Sequence, residues 1–168
     1  MPVAPGTHVA YTIVPGDSLY AIADRFGTSS AALARANALF PPVADPNLLF
    51  PGQKLLIRTP GMSQRSVVLH QVAPGDTLSG IAERYSTTAA RLASLNANQD
   101  TSNLRVAQLL YVPAFVYEVE PGDSLYLISR KRDVTVRELM SANRNRTGFS
   151  PDLIYPGYRL IVPQRMGE

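Results

Sequence analysis

Apolar residues recur at helical spacing in three stretches of the chain, each of which begins directly after the triplet Pro-Gly-Asp. The first stretch carries Leu19, Ile22, Ala23 and Phe26, and the second carries Leu78, Ile81, Ala82 and Tyr85. These positions follow the spacing i, i+3, i+4 and i+7, which predicts one apolar stripe on an amphipathic helix. The third stretch ends its stripe in Arg132, which predicts a final turn that frays or turns toward water.

Short apolar segments flank each predicted helical region. The opening segments alternate, as at Tyr11 and Ile13, which is the period of a half-buried strand. The closing segments read KLLI, LLYV and RLIV and predict a second strand, antiparallel to the first. A shorter second helix precedes the closing strand, with Leu33 and Ala36 on its inner face. We therefore predict an α+β protein of three small βααβ modules, each a two-stranded antiparallel sheet with two helices on one face.

The three modules are copies of one sequence motif. Residues 11–37, 70–96 and 117–143 align without gaps and are identical in seven columns. The columns are Pro15/Pro74/Pro121, Gly16/Gly75/Gly122, Asp17/Asp76/Asp123, Leu19/Leu78/Leu125, Ile22/Ile81/Ile128, Leu33/Leu92/Leu139 and Asn37/Asn96/Asn143. Chance does not produce such agreement in a chain of 168 residues, so this chain is a tandem repeat.

The repeats set the expected domain boundaries. We assign module 1 to residues 10–58, module 2 to residues 69–113 and module 3 to residues 117–163. The remaining segments are an N-terminal tail (1–9), a linker (59–68), a short linker (114–116) and a C-terminal tail (164–168). The linker 59–68 bears Ser, Gly and Pro and predicts a mobile connection. The short linker predicts that modules 2 and 3 lie in contact, with Phe115 and Val116 buried between them.

Polar residues at fixed positions predict the ends of the helices. Asp17 and its equivalents are expected to cap the first helix, because a carboxylate accepts the free N–H groups of the first turn. Ser29, Thr88 and Thr135 are the expected caps of the second helix, and the third copy has the spacing of a capping box. Asn37 and its equivalents end the second helix, where asparagine tolerates a left-handed backbone.

Composition narrows the class of protein. The chain has no cysteine, which excludes disulfides and thiolate metal sites within it. No apolar run approaches the roughly 18 residues of a membrane span, and the N-terminal stretch MPVAPGTHVAYTIV lacks a signal-peptide pattern. The net charge of +3 is mildly basic, and module 3 is rich in arginine. We interpret this as a solvated basic face, with a phosphate-bearing wall polymer or nucleic acid as the alternative partner.

The repeated opening [YH]-x-[VI]-x-PGD-[ST]-L-x-x-I, the Leu-x-x-x-Asn end of the second helix and the closing YPGYRLIVP resemble the lysin motif (LysM). The resemblance covers nearly the whole chain from Tyr11 to Val162, apart from the linkers. It implies a βααβ fold and binding to polysaccharides that contain N-acetylglucosamine, chiefly bacterial peptidoglycan and chitin. Eukaryotic members often carry disulfides between repeats, so the lack of cysteine resembles the bacterial members.

The resemblance also implies a shallow groove in each module, between the loop after the first strand and the loop before the second, where backbone groups hold the acetamido arms. The implied residues are Gly16, Asp17, Ser18, Leu19, Tyr20, Asn47, Leu48 and Leu49 in module 1, Gly75, Asp76, Thr77, Leu78, Ser79, Ser102, Asn103 and Leu104 in module 2, and Gly122, Asp123, Ser124, Leu125, Tyr126, Asp152, Leu153 and Ile154 in module 3. Glycine and a helix start leave main-chain groups accessible to an acetamido group, and Leu48 or Ile154 can seat its methyl. One shallow groove binds weakly, and repetition compensates for this.

No catalytic constellation accompanies these grooves. The repeated aspartate is assigned to capping, Glu83 and Glu138 do not recur as glutamates, and no histidine recurs beside Ser18. We therefore expect a binding protein of the cell wall, a spore or the extracellular space, without cofactor, metal, membrane span or nucleic-acid partner. The alternative is a structural protein of a spore coat, envelope or phage assembly, in which some modules dock proteins.

Module 2 departs from the other two copies, and we expect it to bind sugar most weakly. It has Ser79 where the others have Tyr20 and Tyr126, and Val106-Ala107 replaces the second Pro-Gly. Its loop before the closing strand is the shortest, so we expect both the shape and the exposed backbone of the groove to differ there. His70 occupies the column of the two opening tyrosines and is interpreted as a strand residue.

Overall fold

The computed structural model describes residues 7–39, 49–58, 68–147, 149–152 and 154–164. Module 1 contains β1 (His8–Thr12), α1 (Leu19–Phe26), α2 (Ser30–Ala36) and β2 (Lys54–Arg58). Module 2 contains β3 (Val68–Gln71), α3 (Leu78–Arg84), α4 (Ala89–Leu95) and β4 (Leu109–Val112). Module 3 contains β5 (Ala114–Glu118), α5 (Leu125–Arg132), α6 (Val136–Ala142) and β6 (Arg159–Pro163). The predicted linker lies outside the described residues as far as residue 67.

The two strands of each module pair antiparallel, β1 with β2, β3 with β4 and β5 with β6. This confirms the predicted α+β arrangement of βααβ modules. The repeated apolar residues of the helices form the cores, with at most 2% of each side chain exposed: Ile22, Leu33, Ile81, Leu92, Ile128 and Leu139. Each such side chain contributes about 1.5–3 kcal/mol through burial.

The first helix of each module is capped by the hydroxyl residue that follows the recurring aspartate. The Oγ of Ser18 accepts the N–H of Ala21 at 3.1 Å, and Thr77 and Ser124 cap α3 and α5 in the same way. The hydroxyl residue has the extended backbone of a cap, with φ −128° and ψ 154° at Ser18. The prediction that Asp17 caps this helix is therefore wrong, and its carboxylate has other partners.

The caps of the second helix are those predicted. Ser29, Thr88 and Thr135 each accept the backbone N–H three residues further on. Thr135 and Glu138 also form the predicted capping box, because the carboxylate of Glu138 accepts the N–H of Thr135 at 2.8 Å. These bonds satisfy donors that have no partner inside the helix.

The recurring asparagine joins the second helix of each module to the closing strand. In module 1 the Nδ2 of Asn37 donates to the carbonyls of Leu33 and Leu56, at 3.0 and 2.9 Å. The N–H of Leu56 donates back to the Oδ1 of Asn37 at 2.9 Å. The side-chain amide thus pairs with both backbone groups of one residue in β2, in the way that a neighbouring strand would. We call this arrangement the asparagine bridge.

The asparagine bridge is repeated in the other two modules. Asn96 pairs with both backbone groups of Tyr111 in β4, and Asn143 pairs with those of Ile161 in β6. All three asparagines are 0% exposed. Their φ values are −120°, −120° and −107°, so the predicted left-handed backbone is wrong. This position of the repeat is asparagine in all three modules because the side-chain amide of asparagine both donates to the strand and accepts from it.

Modules 1 and 2 share one sheet. Strands β1 and β3 pair in parallel, which gives a four-stranded sheet in the order β2-β1-β3-β4, while β5 and β6 form a separate two-stranded sheet. The core of module 2 also contains Ala10 and Leu56 from module 1, and Ala142 and Ile161 from module 3. The three modules are therefore packed against one another.

Arg146 joins module 3 to module 1. Only 4% of this residue is exposed, and its guanidinium lies 4.5 Å from the centre of the Tyr158 ring. Its Nη2 donates to the Oδ1 of Asn37 at 3.0 Å, and its Nη1 donates to the Oδ1 of Asn143 at 2.9 Å. One buried guanidinium thus connects the asparagine bridges of two modules.

The last turn of α5 is intact and faces water. The helix reaches Arg132 and is capped at Asp133, whose φ of 52° is left-handed, so the turn does not fray, and Arg132 is exposed as the alternative expectation had it. The guanidinium of Arg132 lies over the rings of Phe115 and Tyr117, 5.5 and 5.0 Å from their centres. Phe115 and Val116 are half-buried, and Val116 packs against the core of module 2. The arginine therefore replaces an apolar residue by stacking on aromatic faces.

The Val106-Ala107 turn of module 2 has the same backbone as the two Pro-Gly turns that it replaces. The φ of Ala107 is 73°, compared with 92° at Gly52 and 89° at Gly157. The N–H of Ala107 donates to the carbonyl of Val72 at 2.8 Å, as Gly52 and Gly157 do with their own strands. Ala107 therefore carries the steric cost of a left-handed alanine, and the expected difference in the shape of the groove stays a prediction.

Asn96→Ala should lower the free energy of unfolding by about 2–4 kcal/mol, because it leaves buried backbone groups of β4 and α4 without partners. Urea denaturation measures this. Asn98→Ala is the matched control, since Asn98 is exposed two residues away and should change stability by less than about 0.5 kcal/mol. Equal losses in the two variants would contradict a structural role for the bridge.

Ala107→Gly and Gly52→Ala should change stability in opposite directions. The first removes a left-handed alanine and should raise the free energy of unfolding by about 0.5–1 kcal/mol. The second creates the same strain in module 1 and should lower it by about 1 kcal/mol, although a Cβ at Gly52 would meet no atom within 4 Å. Thermal and urea unfolding of the full chain measure both, and changes of the same sign would refute the argument.

Candidate functional site

The loop after the first strand of each module turns at a glycine with a left-handed backbone. The φ values are 91° at Gly16, 89° at Gly75 and 87° at Gly122. A Cβ at these positions would meet no atom within 4 Å, so the glycine is required by conformation and not by crowding. All three glycines are exposed, and the loops present their backbone groups at the surface.

The structure separates the predicted groove residues by exposure. The exposed side chains are those of Ser18, Tyr20, Thr77, Ser79, Ser102, Asn103, Ser124, Tyr126 and Asp152. The half-buried ones are those of Leu49, Asp76, Leu78, Leu104 and Ile154, while the side chains of Asp17 and Asp123 are 6% and 4% exposed. Leu19 and Leu125 pack in the cores, with 8% and 4% exposed, which leaves only their backbone near the surface. Asn47, Leu48 and Leu153 lie outside the described residues.

The recurring aspartate holds the glycine loop to the first strand. In module 1 the Oδ2 of Asp17 accepts the hydroxyl of Tyr11 at 2.6 Å and the N–H of Val14 at 3.0 Å. A cation completes the arrangement, because the guanidinium of Arg25 lies 3.6 Å from the other carboxylate oxygen. The pKa of Tyr11 is raised, first by burial and then by its bond to Asp17. The carboxylate acts on the loop and faces away from solvent.

Module 3 builds the same arrangement with a lysine. The hydroxyl of Tyr117 donates to the Oδ2 of Asp123 at 2.6 Å, and the Nζ of Lys131 donates to its Oδ1 at 2.9 Å. Burial raises the pKa of the Asp123 carboxyl, but the bonds from Tyr117, Glu120 N–H and Lys131 outweigh it, so the pKa is lowered. We call these groups, with those of module 1, the loop anchors.

The loop anchor of module 2 uses a histidine. The Nε2 of His70 lies 2.9 Å from the Oδ2 of Asp76, and its Nδ1 lies 2.8 Å from the hydroxyl of Tyr85. Burial lowers the pKa of His70 by more than the Asp76 carboxylate raises it, so the imidazole is neutral at pH 7. Neutral His70 therefore donates from Nε2 to Asp76 and accepts from Tyr85 at Nδ1.

The Tyr85–His70–Asp76 chain has the connectivity of a catalytic relay, but it has no access to substrate. Tyr85 is 0% exposed and His70 is 1% exposed. A nucleophile must reach the reacting atom of its substrate, so these three residues form a structural anchor.

Sequence reasoning missed the basic residue of the anchors. One column of the repeat, in the last turn of the first helix, holds Arg25, Arg84 and Lys131. In module 2 the guanidinium of Arg84 bonds the side chain of Tyr85, and its Nη2 donates to the backbone carbonyl of Arg144 in module 3. The sequence does carry a signal for this residue. One position of the repeat is basic in all three copies, as another position is always aspartate.

The two tyrosines predicted to contact sugar stand on the surface. Tyr20 is 75% exposed and Tyr126 is 60% exposed, both in the first turn of their helices. The guanidinium of Arg130 lies 6.0 Å from the centre of the Tyr126 ring and donates to its hydroxyl at 3.3 Å. Large exposed aromatic faces are suited to apolar contacts with a ligand.

In the part of the chain that the structure describes, no group of three or more His, Cys, Asp or Glu side chains could hold a metal ion. No helix within the same residues is long and apolar enough to cross a membrane.

The chain matches the family model for the LysM domain over residues 11–58, 70–113 and 117–163. The chain belongs to the LysM domain family. LysM domains bind glycans that contain N-acetylglucosamine. The three matched segments coincide with the three βααβ modules, so the predicted tandem LysM architecture is confirmed.

Relatives with LysM sequence similarity include enzymes and an effector. An endolysin of Bacillus phage B103 is 34% identical over 97 residues, which cover 58% of this chain and 34% of the endolysin. The secreted LysM effector ECP6 of Passalora fulva is 31% identical over 110 residues, which cover 65% of this chain and 47% of the effector. The N-acetylmuramoyl-L-alanine amidase sle1 of Staphylococcus epidermidis is 35% identical over 96 residues, which cover 51% of this chain and 28% of the amidase. The chain thus spans less than half the length of each.

A similar solved structure is the spore cortex-lytic enzyme SleL of Bacillus cereus. It is 33% identical, with a TM-score of 0.45, over 63% of this chain and 22% of the enzyme.

The double variant His70→Tyr/Tyr85→Phe copies the Tyr11–Phe26 pair of module 1 into module 2 and should reduce the acid sensitivity of folding. The folded pKa of His70 lies below its unfolded value near 6.5, so the unfolded chain binds more protons and stability falls as the pH drops below that value. Urea midpoints between pH 7.5 and pH 4 measure the slope. His8 also makes stability depend on pH, because burial is the main cause that lowers its pKa to about 3. This contribution should remain in the unmodified chain and in the double variant. An unchanged slope in the double variant would refute this assignment.

Proposed function

We propose that this chain is a non-catalytic, multivalent binder of N-acetylglucosamine-containing glycans, with peptidoglycan or chitin as the polymer. The proposal is carried by one exposed glycine loop that recurs at Gly16, Gly75 and Gly122 in three LysM modules. Backbone donors and acceptors beside these glycines suit the N–H and C=O of an acetamido arm. A cell-wall, spore-surface or extracellular location accords with such a ligand and with relatives named as an endolysin, an amidase and a secreted effector.

The packing of the modules supports multivalent binding with fixed spacing. One exchanged hydrogen bond to a sugar contributes about 0.5–1.5 kcal/mol, so a single shallow groove binds weakly. Linked sites raise avidity by roughly 10²–10⁴ when the geometry permits. A shared sheet and the buried Arg146 hold the modules together, so less freedom is lost on binding than for modules on flexible linkers. The proposed ligand is therefore a long polymer chain.

The state of the loop carboxylates supports binding without catalysis. The side chains of Asp17 and Asp123 are 6% and 4% exposed, and each is bonded to a tyrosine and a backbone N–H. A glycosidase needs a carboxyl pair that flanks the scissile bond, and these carboxyls anchor their own loops. The proposal therefore includes no release of reducing ends from peptidoglycan.

The full chain should sediment with insoluble peptidoglycan or chitin and remain in solution with cellulose. Tyr20→Ser and Tyr126→Ser copy the residue of module 2 and should each weaken polymer binding by roughly three- to tenfold, because an aromatic contact contributes about 0.5–1.5 kcal/mol. Tyr111→Ser, on a half-exposed tyrosine of β4, is the matched control and should bind as the unmodified chain does. Equal binding to all three polymers would contradict the proposal.

The same proposal ranks the modules, and the amide signals of the three loop glycines report on each groove within the intact chain. An NMR titration with an N-acetylglucosamine oligomer should shift Gly16 and Gly122 at lower concentrations than Gly75, because module 2 lacks the exposed tyrosine. Tightest binding at Gly75 would refute this ranking. Loss of all glycan binding would leave protein docking at an envelope, spore or phage surface as the function.

A further inference from the structure

Each module contributes a buried cation to the place where the three modules meet. The cations are Lys54 from module 1, Arg84 from module 2 and Arg146 from module 3, with 7%, 5% and 4% exposed. We call this place the junction. Burial of several like charges is strongly unfavourable unless counter-charges accompany them.

Lys54 is held in the junction by its backbone. Its N–H donates to the carbonyl of Asn145 at 2.9 Å, and its own carbonyl accepts the N–H of Thr147 at 3.0 Å. Its Nζ donates to the hydroxyl of Thr12 at 2.6 Å. An ammonium has three N–H donors, and the described residues supply an acceptor to one of them.

Arg84 brings a second cation to the junction. Its Nη2 donates to the backbone carbonyl of Arg144, while its Nε has no partner among the described residues although it is buried. The Nε of Arg146 is also buried and without a partner there. Arg144 is exposed and lies close enough to Lys54 to lower the pKa of its ammonium, so it is the solvent-facing cation beside the junction.

The charges of the junction do not balance. The pKa of Lys54 is lowered to about 8, first by burial and then by Arg84 and Arg144, while Asp76 is the one carboxylate that raises it. Asp76 already accepts from His70 and from the N–H of Ala73. Asp76 is thus the one carboxylate that acts on both Lys54 and Arg84, and its own bonds go to His70 and Ala73.

We propose that a small tetrahedral oxyanion of the phosphate or sulfate type binds at the junction, between Lys54, Arg84 and Arg144. The anion accepts the free N–H groups of Lys54 and Arg84 and supplies the missing counter-charge. Because its ligands come from all three modules, it stabilises their packing. The site is separate from the glycine loops, and the proposal does not depend on glycan binding.

The chain has two lysines, Lys54 and Lys131, so lysine-labelled NMR resolves the proposed ligand and an internal control. Inorganic phosphate is titrated into the full chain at constant ionic strength, with chloride as the balancing ion. The signals of Lys54 should shift and reach a plateau as phosphate is added. The pKa of the Lys54 ammonium should rise from about 8, because a bound anion favours its charged form. Lys131, which is paired with Asp123, should not respond. Equal responses of the two lysines, or none at Lys54, would overturn the proposal.

Arg144→Gln tests the site without disturbing the fold, because Arg84 binds the backbone carbonyl of residue 144 and not its side chain. This variant should weaken phosphate binding by roughly tenfold, as expected for the loss of one charge-assisted bond. Arg130→Gln is the matched control, since Arg130 is exposed on α5 and contacts Tyr126. Phosphate should raise the melting temperature of the unmodified chain and of Arg130→Gln. The rise should be smaller for Arg144→Gln. Equal rises in both variants would show that phosphate acts only as a general stabilising salt.

Discussion

The rest of this structure depends on the asparagine bridge. A two-stranded sheet leaves an open edge on each strand, and a hairpin alone is marginally stable in water. The side-chain amide of Asn37 meets both backbone groups of Leu56 at that edge, and Asn96 and Asn143 do the same in their modules. The bridge therefore fixes the second helix to the closing strand in each module.

The same bridge is the point at which the modules join. Arg146 donates to the Oδ1 atoms of Asn37 and Asn143, which are already bonded to their strands. A carbonyl oxygen has two lone pairs, so each asparagine can accept both the strand and the guanidinium. Together with the parallel pairing of β1 and β3, this contact makes one packed body from three repeats. Such a body presents its three loops at fixed spacing, which suits a repeating polymer.

The loop anchors show how one geometry is built from different residues. Tyr11 and Tyr117 reach the aspartate with a hydroxyl, and His70 reaches it with Nε2. The smaller imidazole needs a partner at its other nitrogen, and Tyr85 provides it where module 1 has Phe26. Module 2 thus has a histidine behind its glycine loop, where the other two modules have a tyrosine.

The sequence alone predicts the repeat, the order of elements and the cores, because the spacing of residues such as Ile22 and Leu33 reports which face of a helix is buried. It also predicted the capping box of Thr135, which is a local interaction. It misassigned Asp17 and Asn37, because their partners Tyr11 and Leu56 lie on strands and not in the adjacent helix. Only the tertiary structure decided that Arg146 and Lys54 meet, since their pairing spans modules and leaves no periodic signal in the chain.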